Sequence, residues 1–110
     1  MTTGELQAFK AQFFRALAHP VRIKILEILV RGGRTVQEFQ DRLALDQPIV
    51  SQQLAKLRAH GIVTARKQGT TVLYALADPR IAELLKVAKE ILNRRLSGTK
   101  TLLHELRRSG

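Results

Sequence analysis

The chain has 110 residues, a length that fits one domain, and its 45% apolar and 25% charged residues are typical of a globular protein. It contains no cysteine, which excludes disulfides, thiolate metal ligands and cysteine nucleophiles. Lys and Arg number 19 against 9 Asp and Glu, and the net charge of +10 favours polyanionic partners, nucleic acid before anionic membrane surfaces. With no signal-peptide pattern and no apolar run long enough to cross a bilayer, we expect a cytoplasmic protein without a membrane partner.

The first third of the chain predicts two helices. Residues 3–18 place apolar side chains at helical spacing, namely Leu6, Phe9, Phe13, Phe14 and Leu17. Residues 21–30 are ambiguous, because Val21, Ile23 and Ile25 alternate as in a strand. Pro20 before them and Gly32–Gly33 after them favour a second helix, since proline suits a first helical turn and glycine a helix end.

The next segment predicts a helix-turn-helix. Thr35 and Glu38 have the spacing of a capping box, which predicts a short helix to about Ala44. Asp46 is a favourable N-cap for a following helix that ends near Gly61. The apolar positions of this second helix are Val50, Leu54 and Leu57. Two short helices joined by so tight a turn are typical of a helix-turn-helix.

A hairpin and a last long helix are predicted after Gly61. Residues 62–67 and 70–76 have strand-like composition and flank Gln68–Gly69, a suitable turn, so they predict a wing beside the helix-turn-helix. Residues 80–96 carry one apolar face, made of Ile81, Leu84, Leu85, Ala88, Ile91 and Leu92. We therefore expect a mainly α fold with a small β-hairpin in a domain over residues 1–96. A basic tail over residues 97–110 either forms a short helix or stays mobile.

The predicted helix over 47–60 has a polar face suited to DNA. With its apolar positions in the core, Gln52 and Lys56 point outward, and Gln47 and Ser51 lie on the flank. Such a helix fits the major groove, and a glutamine amide pairs bidentately with adenine, so Gln52 is the main candidate for base recognition. The full set of candidate DNA-binding residues is Gln47, Ser51, Gln52, Lys56, Arg58, Arg66, Lys67 and Thr70. Without the helix-turn-helix and wing, the same pattern would fit an ordinary solvated helix face.

Three stretches resemble the ArsR/SmtB family of winged-helix repressors. They are FRALAHPVRIKILEIL, LDQPIVSQQLAKLRAHGIV and TARKQGTTVLYAL, and with the last helix the resemblance covers roughly residues 13–92. It implies a winged helix-turn-helix that dimerises through its first and last helices. It also implies operator binding, with family contact positions at Gln47, Ser51 and Gln52, and release when an inducer binds.

The family's usual metal ligands are missing from this sequence. The positions of the cysteine pair of metal-sensing members are Thr35 and Gln37 here. Of the second family site only Asp78 remains, and the matching positions are Arg80, Ile91 and Arg94. We expect no metal and no cofactor. The inducer stays open between a small organic molecule bound between the first and last helices, an unusual metal site that uses His104, and none.

These observations lead to one functional hypothesis and two alternatives. The hypothesis is a homodimeric, nucleoid-associated repressor that binds a pseudo-palindromic operator through the helix 47–60 and the wing 62–76. The first alternative is a non-specific architectural protein, for which the charge of +10 alone would suffice. The second is a winged helix that docks a protein, which the absence of acidic residues between Asp46 and Asp78 disfavours. No catalytic motif is present, so we do not expect an enzyme.

Overall fold

The computed structural model describes residues 3–96 and 100–109, and within these ranges six helices and three strands are present. The helices are α1 (Thr3–Leu17), α2 (Pro20–Leu29), α3 (Val36–Leu43), α4 (Gln47–Ala59), α5 (Arg80–Arg95) and α6 (Lys100–Arg108). The strands are β1 (Arg34–Thr35), β2 (Val63–Gln68) and β3 (Thr71–Leu76). This arrangement confirms the predicted winged helix-turn-helix.

Local side-chain caps fix where α2 and α3 begin. At α2 the His19 Nδ1 atom accepts a hydrogen bond from the Val21 N–H at 3.1 Å. At α3 the predicted capping box is complete: Thr35 Oγ1 accepts from the Glu38 N–H, and Glu38 Oε1 accepts from the Thr35 N–H at 3.0 Å. That backbone hydrogen bond lowers the pKa of Glu38. Asp46 occupies the N-cap position of α4 as predicted, but its carboxylate makes no capping bond.

The sheet differs from the prediction in two details. The strand order is β1-β3-β2, all antiparallel, so the expected two-stranded hairpin has a third strand at its edge. Gln68 pairs with Thr71, so the loop is Gly69–Thr70, one residue later than predicted. Gly69 has a φ of 60°, which glycine adopts without steric cost.

The glycine pair after α2 has two separate roles. Gly32, with a φ of 129°, turns the chain out of the helix end, as predicted. Gly33 was also interpreted as part of that helix stop, but it lies against β3. A Cβ atom there would be 3.0 Å from the Leu73 side chain and 3.2 Å from the Tyr74 carbonyl oxygen. Glycine at 33 therefore lets β1 approach β3 closely enough to pair with it.

One apolar core joins the helix-turn-helix to the rest of the domain. Fully buried side chains come from α2 (Ile25, Leu26), α3 (Phe39), α4 (Val50, Leu54, Leu57) and the segment that enters β2 (Ile62, Val63). Ala16, Leu17, Leu29 and Ile81 complete it. Because α4 buries three of its side chains here, the orientation of its outer face is fixed by the core.

Helices α1 and α5 each keep three large apolar side chains exposed. On α1 these are Leu6, Phe9 and Phe14, and on α5 they are Val87, Ile91 and Leu92. Phe9 is 72% exposed and Ile91 is 58% exposed. The predicted apolar face of α5 is thus divided, since Ile81 near its start is buried whereas Ala88, Ile91 and Leu92 are not.

The basic tail contains α6, which packs against α5. The Lys89 ammonium group donates a hydrogen bond to the Ser109 carbonyl oxygen. The helix break predicted at Ser97–Gly98 lies outside the described residues, and the division into a domain 1–96 and a tail 97–110 stays a prediction. Across the described part of the chain, no helix combines the length and apolar character needed to span a membrane.

Candidate nucleic-acid interface

Helix α4 presents a polar surface on the side opposite the core. Val50, Leu54 and Leu57 have no exposed surface, as predicted. At about 100° per residue, Gln52 then lies almost opposite the core, and its side chain is exposed. The Gln52 amide has no hydrogen-bond partner among the described residues, so its donor and acceptor are accessible to a base edge.

The other predicted residues of α4 lie on two different flanks. Gln47 and Ser51 form a pair, since the Gln47 amide donates to Ser51 Oγ at 2.6 Å. By helical periodicity Arg58 follows on that same flank. Lys56 lies on the opposite flank, beside α1 and α2. The structure therefore brings Gln47 and Ser51 into contact and separates Lys56 from Arg58, two residues for which sequence reasoning gave one role.

The two cations of the wing point to opposite faces of the sheet. Arg66 pairs with Leu73 and Lys67 with Val72, and adjacent strand residues alternate in direction. Both side chains are exposed. Thr70 lies in the two-residue loop at the tip rather than just beyond it. A wing of this geometry offers one cation on each face and a hydroxyl at its tip.

No carboxylate forms an ion pair with the cations of α4 or of the wing in the part of the chain that the structure describes. Within residues 3–96 and 100–109 the single ion pair joins Arg80 to Asp78, at 2.7 Å between Nη2 and Oδ2. Hydrogen bonds from the Arg80 side chain and backbone lower the pKa of Asp78 to about 2. Lys56, Arg58, Arg66 and Lys67 therefore keep their full charge available for phosphate groups.

The candidate metal ligands do not form a site in the described residues. The Asp78 carboxylate accepts from Arg80 Nε and Nη2, so the one remaining family ligand is occupied by a cation. No group of three His, Asp or Glu side chains suited to a metal ion occurs in the part of the chain that the structure describes. His19 caps α2, and His60 Nδ1 lies 3.0 Å from the Lys56 carbonyl oxygen.

Sequence reasoning missed a buried polar contact behind the recognition surface. Gln53 is only 7% exposed, and its Oε1 accepts a hydrogen bond from Arg22 Nη1 at 3.1 Å. From the sequence, Arg22 was expected on the polar side of the second helix and was a further candidate for contact with the DNA backbone. A sequence indication was present, because Gln53 stands three residues after Val50 and four before Leu57, within the apolar stripe. A polar residue at such a position needs a buried partner.

Comparisons with known proteins agree with this geometry. A helix-turn-helix domain model matches residues 17–66. The uncharacterised HTH-type transcriptional regulator Rv0081 of Mycobacterium tuberculosis is 45% identical over 111 residues, covering 100% of this chain and 97% of that protein. The repressor SmtB of the same organism is 46% identical over 74 residues, covering 67% of this chain and 55% of that protein.

Solved structures show the same fold. The crystal structure of Rv0081 superimposes with a TM-score of 0.80 at 48% identity, covering 84% of this chain and 94% of that one. The homodimeric winged helix-turn-helix domain of Mb0332 from Mycobacterium bovis, described as a possible ArsR-family regulator, gives a TM-score of 0.79 at 26% identity. It covers 89% of this chain and 93% of that one. The chain therefore belongs to the ArsR/SmtB family of winged helix-turn-helix transcriptional regulators.

Proposed function

We propose that this chain is a homodimeric repressor that binds a pseudo-palindromic operator and has no catalytic role. The observation that carries the proposal is the outer face of α4, where Gln52 is exposed and has no hydrogen-bond partner among the described residues, while Gln47 and Ser51 form a polar pair beside it. In this proposal Gln52 recognises a base edge in the major groove. Gln47 and Ser51 contact bases or phosphates, and Lys56, Arg58, Arg66, Lys67 and Thr70 contact the backbone or the minor groove.

The dimer is part of the proposal because the exposed apolar surface needs a cover. Phe9 on α1 and Ile91 on α5 are each more than half exposed, and several large apolar side chains left exposed on two helices favour an interface. Mb0332, one of the structural relatives, is itself homodimeric. A two-fold dimer would place two α4 helices about 34 Å apart, so that they enter successive major grooves of a symmetric site in the cytoplasmic nucleoid.

Release by an effector other than a thiolate-bound metal completes the proposal. A cavity of about 510 Å³ lies between α2, α5 and the end of α6, lined in part by Val30 and Leu85. It is large enough for a small organic molecule, although from the sequence we expected such a site between α1 and α5. An effector that favours the DNA-free form should raise its melting temperature and weaken operator binding together, because the two sites are linked.

Fluorescence anisotropy tests the proposal most simply. The purified protein is titrated onto DNA from immediately upstream of its own gene, with random duplex in excess at near-physiological salt, with and without chelator. We expect a preference of about 10³ or more for the upstream DNA, unchanged by chelator. If every tested upstream segment binds with the same affinity as random duplex, operator recognition is contradicted and the architectural alternative is supported.

A further inference from the structure

A basic groove runs along the flank of α4, outside the face proposed for base recognition. Its volume is about 340 Å³, and it lies between α1, α2 and the end of α4. The residues that line it are Gln12, Arg15, Ala16, Arg22, Lys56 and His60. Three of the six are permanent cations and none is acidic, so the groove presents concentrated positive charge to whatever enters it.

Two hydrogen bonds hold the Arg22 side chain in place within this groove. Its Nη1 donates to Gln53 Oε1 at 3.1 Å, and its Nη2 donates to the Arg15 carbonyl oxygen at 3.4 Å. Each of these terminal nitrogens carries a second hydrogen, so the side chain keeps donors for another partner. Its Nε atom is buried and has no hydrogen-bond partner within the residues that the structure describes.

The charge of Arg22 has no carboxylate partner in the described ranges 3–96 and 100–109, where Asp78 and Arg80 form the single ion pair. A partly buried cation without a counter-ion is unfavourable, and an anion in the groove would compensate it. Arg15 and Lys56 flank the same space and would add charge from two further directions. His60, whose Nδ1 donates to the Lys56 carbonyl oxygen at 3.0 Å, also lines this groove.

The groove is formed and supported in part by residues of the recognition helix α4. Gln53, the acceptor for Arg22, is nine-tenths buried and directly follows Gln52 on α4. Lys56 belongs to the same helix. An anion bound by Arg22 is therefore held at a fixed position relative to the residue proposed to recognise a base.

We propose that this groove binds one phosphodiester of the DNA backbone in each half-site and thereby sets the register of α4 in the major groove. A guanidinium fork with flanking cations suits the tetrahedral, singly charged phosphodiester. Backbone contacts of this kind orient a protein on the duplex before bases are read. The inference rests on the proposed function, since it assigns a specific phosphate contact to the same protein–DNA complex.

Methylphosphonate scanning tests this assignment. Each backbone phosphate of an operator selected from random duplexes is replaced in turn by a neutral methylphosphonate, and affinity is measured by anisotropy. We expect one position in each half-site where this replacement weakens wild-type binding about tenfold or more. The variants Arg22→Gln and Arg15→Gln should bind the unmodified operator more weakly and lose the sensitivity at that position.

One control variant and the second groove variant keep the test decisive. Arg31→Gln removes the same charge from an exposed arginine beyond the end of α2 that does not line the groove, and it should keep the wild-type pattern. Arg15→Gln removes a groove cation without touching the Gln53 contact. It therefore remains informative if Arg22→Gln lowers the melting temperature too far for binding measurements.

The outcomes separate the groove from the general function. Suppose that wild type prefers its operator, and that methylphosphonate replacement weakens binding at the same positions in wild type and in the groove variants. The groove assignment is then wrong, and operator recognition stands. If wild type shows no operator preference, both are wrong. If inorganic phosphate raises the melting temperature of wild type but not of Arg15→Gln, while no methylphosphonate position matters, the groove binds a soluble anion and the DNA assignment is overturned.

Discussion

The two cations of the wing give a prediction whose size follows from their geometry. Arg66 and Lys67 project from opposite faces of β2, and both are exposed. A wing that enters the minor groove tip first would bring each cation to the phosphates of a different strand. A dimer then makes four such contacts. Because each neutralised phosphate contributes about 0.9 to the slope of log K against log salt, the double variant Arg66→Gln/Lys67→Gln should lose roughly 3.6 from that slope.

Titrations by anisotropy from about 50 to 200 mM salt measure this slope. Over that range, the loss of slope changes the ratio of wild-type affinity to double-variant affinity by about 10². Each single variant should show about half of the double variant's loss of slope, because one face of each wing remains charged. The charge-matched control Arg31→Gln/Lys86→Gln alters exposed residues elsewhere and should leave the slope near wild type. A double variant with the wild-type slope would refute a wing contact, and a loss confined to one single variant would refute tip-first insertion.

Three further predictions concern base recognition, capping and assembly. Gln52→Ala should reduce discrimination at one base pair of each half-site by about 1–3 kcal/mol with an unchanged salt slope, because a bidentate base contact is lost; identical base preferences in variant and wild type would rule out direct readout by Gln52. Thr35→Ala should lower the free energy of unfolding, measured in urea, by about 1 kcal/mol because the capping box is lost. The control Thr64→Ala, on the exposed side of β2, should have a smaller effect. Equal losses in the two variants would contradict a stabilising cap. Ile91 is 58% exposed in the single chain, so Ile91→Lys should leave the fold intact. A charge buried at the dimer interface should convert the dimer to monomer, as measured by sedimentation velocity. An unchanged sedimentation coefficient would place the interface elsewhere.

The helical elements could be predicted because their apolar spacing is regular and their ends carry specific chemistry. Thr35 and Glu38 form the capping box that their spacing indicates, and Val50, Leu54 and Leu57 are buried as the periodicity of α4 requires. In such segments local preference and tertiary packing agree, so sequence patterns suffice.

Very short elements, contacts between distant residues and the exact position of the hairpin loop could not be predicted from the sequence, for physical reasons. Strand β1 has two residues, too few for any alternation, and it exists because Gly33 permits close approach to Leu73. The contact between Arg22 and Gln53 joins residues 31 positions apart, and no periodic pattern specifies which partner a buried polar group finds. The hairpin loop was misplaced by one residue because Gln68 and Thr70 both tolerate turn conformations, and only the pairing of Gln68 with Thr71 decides between them.

The candidate DNA-binding residues were predicted as a set, and the structure adds their division into separate surfaces. Gln47 and Ser51 lie on one flank of α4 and Lys56 on the other, where it lines the basic groove with Arg22. Helical periodicity alone shows which residues are exposed. Which neighbouring element each one faces depends on how α1 and α2 pack beside α4, and that information is tertiary.

Selection from a random-sequence duplex library tests the central claim of sequence-specific recognition by a two-fold dimer most directly. After several rounds at near-physiological salt, wild type should enrich a pseudo-palindrome whose half-sites are about 10 base pairs apart, centre to centre. In the same selection, Gln52→Ala should relax one position in each half-site. Enrichment of no motif, or of a motif without two-fold symmetry, would contradict the account.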